Sequence, residues 1–322
     1  MKAPARLGLY GLALVTVFAV AGFTANAVVP EEIVQNWTHE AVENHHVEPD
    51  DMTSDDAHSG HDASPASLGL GVAQDGYQLT SVTAPTTVGD RGELSLVVTD
   101  PSGKPVTDFE SEDEKELNLI AVRADGRYFR HIHPARTDDG TWSIPWEWEA
   151  AGAYRVLADF VPTETGSGLT LSTSVQVAGD YTPEPAIGPA TESRVNGYTI
   201  SVTGDLVAGE TSKLTMIISR DGKPVTQLQP YLGALGHLVV LRDGDLAYLH
   251  VHPHSDALRA DETSGPQMVF ETTVPTPGRY LLYLDFQVDG QVHTARLVLD
   301  TATGNRGGDH GGGNAEDSHK HE

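Results

Sequence analysis

Two histidine pairs stand in the same short frame, His131-Ile132-His133-Pro134 and His250-Val251-His252-Pro253. On a β-strand, residues i and i+2 share a face, so each pair aims two imidazoles at one point. Converging imidazoles hold borderline divalent ions such as Zn²⁺ and Cu²⁺. A third candidate lies upstream in the second frame. If Asp243-Gly244 is a two-residue hairpin turn, Arg242 faces Asp245 and the pairing runs back to set His237 opposite His250. Directly opposed Cβ atoms lie about 5 Å apart. His237, His250 and His252 are therefore expected to form a triangle on one face of one hairpin. His254 and Asp256 follow in the loop and are candidates for a fourth position.

The first frame keeps His131 and His133 but has Asn118 where the second has His237. With Asn118 expected opposite His131, and an amide being a poor ligand for such ions, this copy should bind more weakly or not at all. Asp159 and Asp285 occupy equivalent positions inside apolar strands. A carboxylate there is costly unless paired. It either orients an imidazole from behind or bonds a nearby turn. The plain alternative for the histidines is a polar rim at a strand end.

Composition narrows the chemistry further. The chain has 322 residues, no Cys, 15 His and a formal charge of −26. Disulfides and thiolate metal sites are excluded, and a nucleic-acid backbone would be repelled. Beyond Met1 the methionines are Met52, Met216 and Met268, none beside an H-x-H pair. Soft Cu⁺ is thus disfavoured against Cu²⁺ or Zn²⁺.

The positioning elements come from a duplication. Gly103-Lys-Pro-Val-Thr107 recurs unchanged as Gly222-Lys-Pro-Val-Thr226, and 117–134 lies without a gap over 236–253. Gly152 to Phe160 lies over Gly278 to Phe286. Each copy reads as seven short strands separated by turns. The expected strands are 77–84, 92–99, 117–123, 127–133, 141–149, 152–161 and 169–178. Those of the second copy are 196–203, 211–219, 236–242, 246–252, 267–274, 278–288 and 291–300. The fold class expected is all-β: two tandem immunoglobulin-like or cupredoxin-like β-sandwich domains, 76–180 and 194–301, joined by a Pro-rich linker at 181–193.

Flanking segments have a different character. Residues 1–27 combine Lys2 and Arg6, an apolar run from Leu7 to Phe23 and Ala25-Asn26-Ala27. This reads as an export signal, either cleaved or kept as a membrane anchor. Residues 28–75 are acidic and expected to be disordered, with His39, His45, His46, His58 and His61 interleaved. The Gly-rich tail 302–322 carries His310, His319 and His321 and is expected to be disordered as well. Such ligand-dense segments suit low-affinity metal capture.

The H-x-H-P strand, the run Tyr248-Leu-His250-Val-His252-Pro253 and the Leu284-Asp285-Phe286 strand resemble an exported bacterial family of tandem sandwich repeats. Its members are described as heavy-metal-associated or hypothetical secreted proteins. In that family the first repeat often has His where this chain has Asn118. The architecture is loosely similar to copper-resistance sandwiches of the CopC and YtkA-like type, whose His and Met ligand pattern is not matched here. The resemblance suggests copper handling, and with the histidine pattern the expected function is extracytoplasmic copper or zinc buffering, scavenging or delivery, with metal ions and a metal-transport protein as expected partners.

Two other classes stay open. Gly244-x5-His250-x-His252 echoes the first cupin motif, with Asp256 where Glu would be expected, but no second motif follows Gly278. A three-His metalloenzyme is one alternative, although no general base accompanies the site. A non-metal immunoglobulin-like interaction module is the other.

Overall fold

The computed structural model describes residues 68–302 apart from Asp113, His250 and 254–263, and of His252 it describes the backbone alone. Segments 1–27, most of 28–75 and nearly all of the tail 302–322 lie outside the described residues. Both repeats lie within one compact unit.

Among the described residues every regular element is a strand. The first repeat contains β1 (Ala73–Gln74), β2 (Tyr77–Thr83), β3 (Gly92–Thr99), β4 (Phe109–Glu110) and β5 (Leu117–Arg123). After these come β6 (Arg130–Ile132), β7 (Ala135–Arg136), β8 (Thr141–Trp146), β9 (Gly152–Pro162) and β10 (Leu169–Val177). The second repeat contains β11 (Glu192–Val195), β12 (Tyr198–Thr203), β13 (Thr211–Arg220), β14 (Lys223–Pro224) and β15 (Gly236–Arg242). It continues with β16 (Tyr248–Leu249), β17 (Val251–Pro253), β18 (Gln267–Thr273), β19 (Arg279–Val288) and β20 (Gln291–Asp300).

Each repeat is a two-sheet sandwich of antiparallel strands. In the first, the order β1-β2-β3-β8-β7 faces the order β10-β9-β5-β6. In the second, β11-β12-β13-β18-β17 faces β16-β15-β19-β20. The outer sheets alternate as half-buried strands should. In β13, for example, Ser212, Leu214, Met216 and Ile218 are buried while their neighbours are not.

The facing sheets are buried on both sides, and this organises the molecule. In β5, Leu117, Leu119 and Ala121 enter the first core, while Ile120 and Val122 point the other way. In β15, Leu238 and Val240 enter the second core, while Val239 and Leu241 point away from it. These outward residues join Leu157, Leu246, Tyr248, Leu281, Tyr283 and Val298 in a third core between the repeats. The sandwiches thus share an apolar layer, with Ile120, Val122, Leu157, Leu241 and Leu281 fully buried in it. At roughly 1.5–3 kcal/mol per buried aliphatic side chain, this layer makes the repeats one body. Gly126 lies against it at φ +73°, where a Cβ would run into the Leu281 side chain.

The segments outside the expected domain boundaries are also tied down. Leu68 packs on the second core and its carbonyl accepts from the Tyr248 N–H, so ordered chain begins before residue 76. The 181–193 segment is docked as well. Tyr181 covers Arg123, the Ala186 carbonyl accepts from Arg279, and Ala190 bridges Val298.

The hairpin register differs from the one expected. Val240 pairs with Leu249 and Leu241 with Tyr248, closed by the Arg242 N–H on the Ala247 carbonyl. The turn is therefore the four residues 243–246, not Asp243-Gly244. Leu246 takes φ +57° in this turn and is 3% exposed, folded into the shared layer. Asp245 braces the loop by accepting from Arg242 and from the Ala247 N–H. In the first repeat the pairs are Leu119 with Ile132 and Ile120 with His131, so Asn118 opposes His133 rather than His131.

The expected single strand 246–252 is also two strands in different sheets. β16 pairs with β15, but β17 pairs with β18, setting His252 against Glu271. The same change of sheet separates β6 from β7 at His133-Pro134. Proline lacks an N–H, which suits a point where ladder pairing ends. The H-x-H-P frame is thus the corner at which the chain crosses between the sheets of its sandwich.

Candidate functional site

The shared layer ends in polar residues. One turn of the strand alternation beyond Ile120 is Asn118, and beyond Leu157 is Asp159; the two are cross-strand partners. In the second repeat, the same step beyond Val239 gives His237 and beyond Tyr283 gives Asp285, again cross-strand partners. Directly paired residues project from the same side of a sheet. All four therefore stand on the faces that the repeats turn toward each other.

His131, paired with Ile120, stands on that side too and reaches across. Its Nδ1–H donates to Oδ2 of Asp285 at 2.9 Å, and the two side chains are only 6% and 5% exposed. The other carboxylate oxygen of Asp285 accepts from Thr294, its neighbour on β20. Asp159 is held in the same way by Thr170 at 2.7 Å, and it accepts from Tyr248 of the second repeat at 3.2 Å. Both interior carboxylates are thus paired across the interface.

The other two histidines of this group are oriented by oxygen acceptors. His133 Nε2–H donates to Asn118 Oδ1 at 3.1 Å, and His237 Nε2–H to the Tyr231 carbonyl at 2.7 Å. With Nδ1 of His131 donating to Asp285, its Nε2 carries the lone pair in the neutral tautomer. Burial pushes the Tyr231 hydroxyl above the usual tyrosine range, and the Asp285 charge adds to this. A cavity of about 300 Å³ adjoins the group, lined in part by Glu112, Asn118, His131, Asp159, His237 and Tyr248.

Ring geometry shows what these side chains can do. His131 and His133 have centroids 5.0 Å apart, and His131 and His237 have centroids 6.4 Å apart. A Zn–N bond of about 2.0–2.1 Å puts two tetrahedrally placed ring centroids roughly 5 Å apart. The first pair meets that separation, and the second would have to close by more than an ångström. Among the described residues, no set of three or more His, Cys, Asp or Glu side chains stands ready to hold a metal ion.

Of the residues expected at the site, the structure brings together His131, His133 and His237. His250, His254 and Asp256 lie outside the described residues, and His252 is described only as part of β17. The expected triangle of His237, His250 and His252 falls largely on side chains outside the described residues, and the group that the described residues form is drawn from both repeats. The partnership of His131 with Asp285 was not foreseen from the sequence. Its signal was present in strands such as Leu117–Arg123 and Tyr280–Phe286, which are apolar on both faces and so must be covered twice.

Comparison with known proteins adds little chemistry. No curated protein matches the sequence. Among solved structures, Salmonella alpha-2-macroglobulin reacted with methylamine is 16% identical at a TM-score of 0.24, covering 72% of this chain. Invasin, a bacterial integrin-binding protein, is 13% identical at a TM-score of 0.21, covering 70% of this chain. This chain spans only 15% and 38% of those two chains. At such scores the likeness adds nothing to the fold that the strand order already gives. The family comparison is firmer, with two matches to one domain family at residues 72–179 and 193–303, together more than half of the chain. The duplication and its boundaries thus place this chain in the family described as "Domain of unknown function (DUF8832)", of which it carries two copies.

Proposed function

We propose that this protein binds a divalent metal ion, Cu²⁺ or Zn²⁺, outside the cytoplasm, and that it buffers or delivers the ion rather than performing catalysis. The observation that carries the reading is the buried His131–Asp285 pair beside His133. A carboxylate that fixes one imidazole nitrogen and leaves the other to an ion is the usual arrangement behind metal-ligating histidine. The 5.0 Å separation of the two rings supports it. So does the charge of −26, which concentrates cations around the chain. The apolar run at residues 7–23 supports export.

The reading is tested by titrating Zn²⁺ and Cu²⁺ into the untagged full chain by calorimetry at neutral pH. The tightest site should be lost in the double variant His131→Ala/His133→Ala, while weaker sites remain. It should also empty as pH falls from about 6 to 5, because imidazole must be neutral to bind and its ordinary pKa is near 6.5. A double variant with undiminished number and affinity of bound ions would show that the pair is an interface hydrogen bond and nothing more.

A further inference from the structure

We infer that the two repeats hold one ion jointly, His131 and His133 coming from the first and His237 from the second. Asp285 of the second repeat positions His131 of the first. The inference rests on the metal reading above but makes a separate claim, since duplication by itself would suggest one site per repeat.

Three observations separate a shared site from two independent ones. First, among the described residues the imidazole of the second repeat that stands beside His131 is His237, at 6.4 Å, and the two rings border the same cavity. Second, the carboxylate behind His131 belongs to the other repeat, whereas the position facing His133 within its own repeat is Asn118. The first repeat thus offers two imidazoles and an amide, and its amide orients one of those imidazoles. Third, the apolar layer beneath the site is closed, with Ile120, Leu157, Leu241 and Leu281 fully buried. The frames carrying His131 and His237 cannot drift apart, so bringing the rings from 6.4 Å to about 5 Å requires side-chain movement rather than domain movement.

Stoichiometry is the decisive measurement. Zn²⁺ is titrated into the full chain and into His131→Gln, His237→Asn and the double variant. Gln retains an N–H able to reach Asp285, and Asn at 237 copies the first repeat, so both changes spare the fold. With one shared ion, each single variant loses the same tight equivalent, and the double variant loses no more. Two independent sites would instead lose one equivalent in each single variant and two in the double, which would overturn the inference and leave the metal reading standing. If neither variant loses a tight equivalent, the metal reading itself fails.

A second readout concerns Cu²⁺ added below one equivalent, where nitrogen hyperfine splitting counts bound imidazoles. The count should fall by one in His131→Gln and by one in His237→Asn. Asp285→Asn should weaken binding by about 10–100-fold with the count unchanged, as befits a positioning residue. A nitrogen count indifferent to His237→Asn would confine the ion to the first repeat and refute sharing.

Discussion

Both repeats carry an arginine at the end of the same strand, and they use it differently. In the first, Arg123 grips Asp125 through Nε at 2.9 Å and Nη2 at 2.6 Å, with side chains 4% and 3% exposed. The Tyr128 and Tyr181 rings cover its guanidinium, and Asp125 also accepts from the Glu184 N–H. In the second, Arg242 grips Asp245 through the same two nitrogens, but the side chains are 21% and 42% exposed. The first pair is a joint that fastens the inter-repeat segment to its sandwich. The second braces its own loop and, through Arg242 Nη1, reaches Thr276 in the loop before β19, within the same repeat. Duplication preserved the arginine while the surroundings decided what it is worth.

The largest expected effect follows from that contrast. Breaking a buried ion pair on one side strands the other charge and costs about 3–5 kcal/mol, so Asp125→Asn should lower stability by about that much in urea unfolding. Asp245→Asn should cost no more than about 1 kcal/mol, since water screens an exposed pair. Burial alone would raise the Asp125 carboxyl, but hydrogen bonds from Arg123 and from the Glu184 and Arg127 N–H groups hold it below the usual range. Its contribution is therefore present above the ordinary aspartate value and is lost as pH falls through the lower, folded-state value. Equal losses in the two variants would erase the distinction between the joints.

The two turns give a smaller effect. Leu246 is folded into the shared layer, while its counterpart in the alignment, Arg127, is exposed and bonds Glu184. Leu246→Ala should cost about 2 kcal/mol, the low end for a buried leucine because a loop can partly collapse around the gap. Arg127→Ala should stay within about 0.5 kcal/mol. A neutral Leu246→Ala would mean that this leucine adds nothing to the packing between the repeats.

That turn also marks where the sequence stopped being legible. The strands, the duplication and the sandwich class were readable because alternation, turn residues and repeated motifs are local signals. The site histidines were readable as types, and Asp285 as a carboxylate needing a partner. The register was not, because Asp243-Gly244 carries a strong two-residue turn signal, whereas the loop closes over the four residues 243–246. The change of sheet between β16 and β17 was equally hidden, since Tyr248 to Pro253 reads as one strand until each half has a different neighbour. The expected pairing was off by two residues, and the cross-strand partner that His237 does have is Asp285 on β19. The cross-repeat contact of His131 with Asp285 needed the docking of two domains, which no single-strand pattern specifies.

The smallest expected effect comes from a position that the duplication has made polar in one copy only. Leu169 pairs with Phe160 in the first repeat, and His293 pairs with Phe286 at the corresponding place in the second. His293 is 6% exposed, beside the Tyr198 and Phe286 rings, and its Nδ1 accepts from Asn196. Burial, and then the nearby Arg220, hold its pKa below the ordinary histidine value, with Asp289 opposing them. The unfolded chain therefore takes up this proton first as pH falls through about 6.5. Stability from this group is fully present above that pH and is lost below it, at up to about 1.4 kcal/mol per pH unit. His293→Leu would copy the first repeat and remove that slope, at a cost near 1 kcal/mol at pH 7 for the Asn196 amide it strands. Adding Asn196→Asp completes the copy, since Asp75 holds the equivalent place and both residues take positive φ, 53° and 48°. Urea unfolding at pH 7.5 and 5.5 should show the wild type losing stability relative to both variants as the medium is acidified. Parallel losses in all three chains would mean that His293 is protonated without cost, and that its burial beside two aromatic rings leaves its charge unaffected.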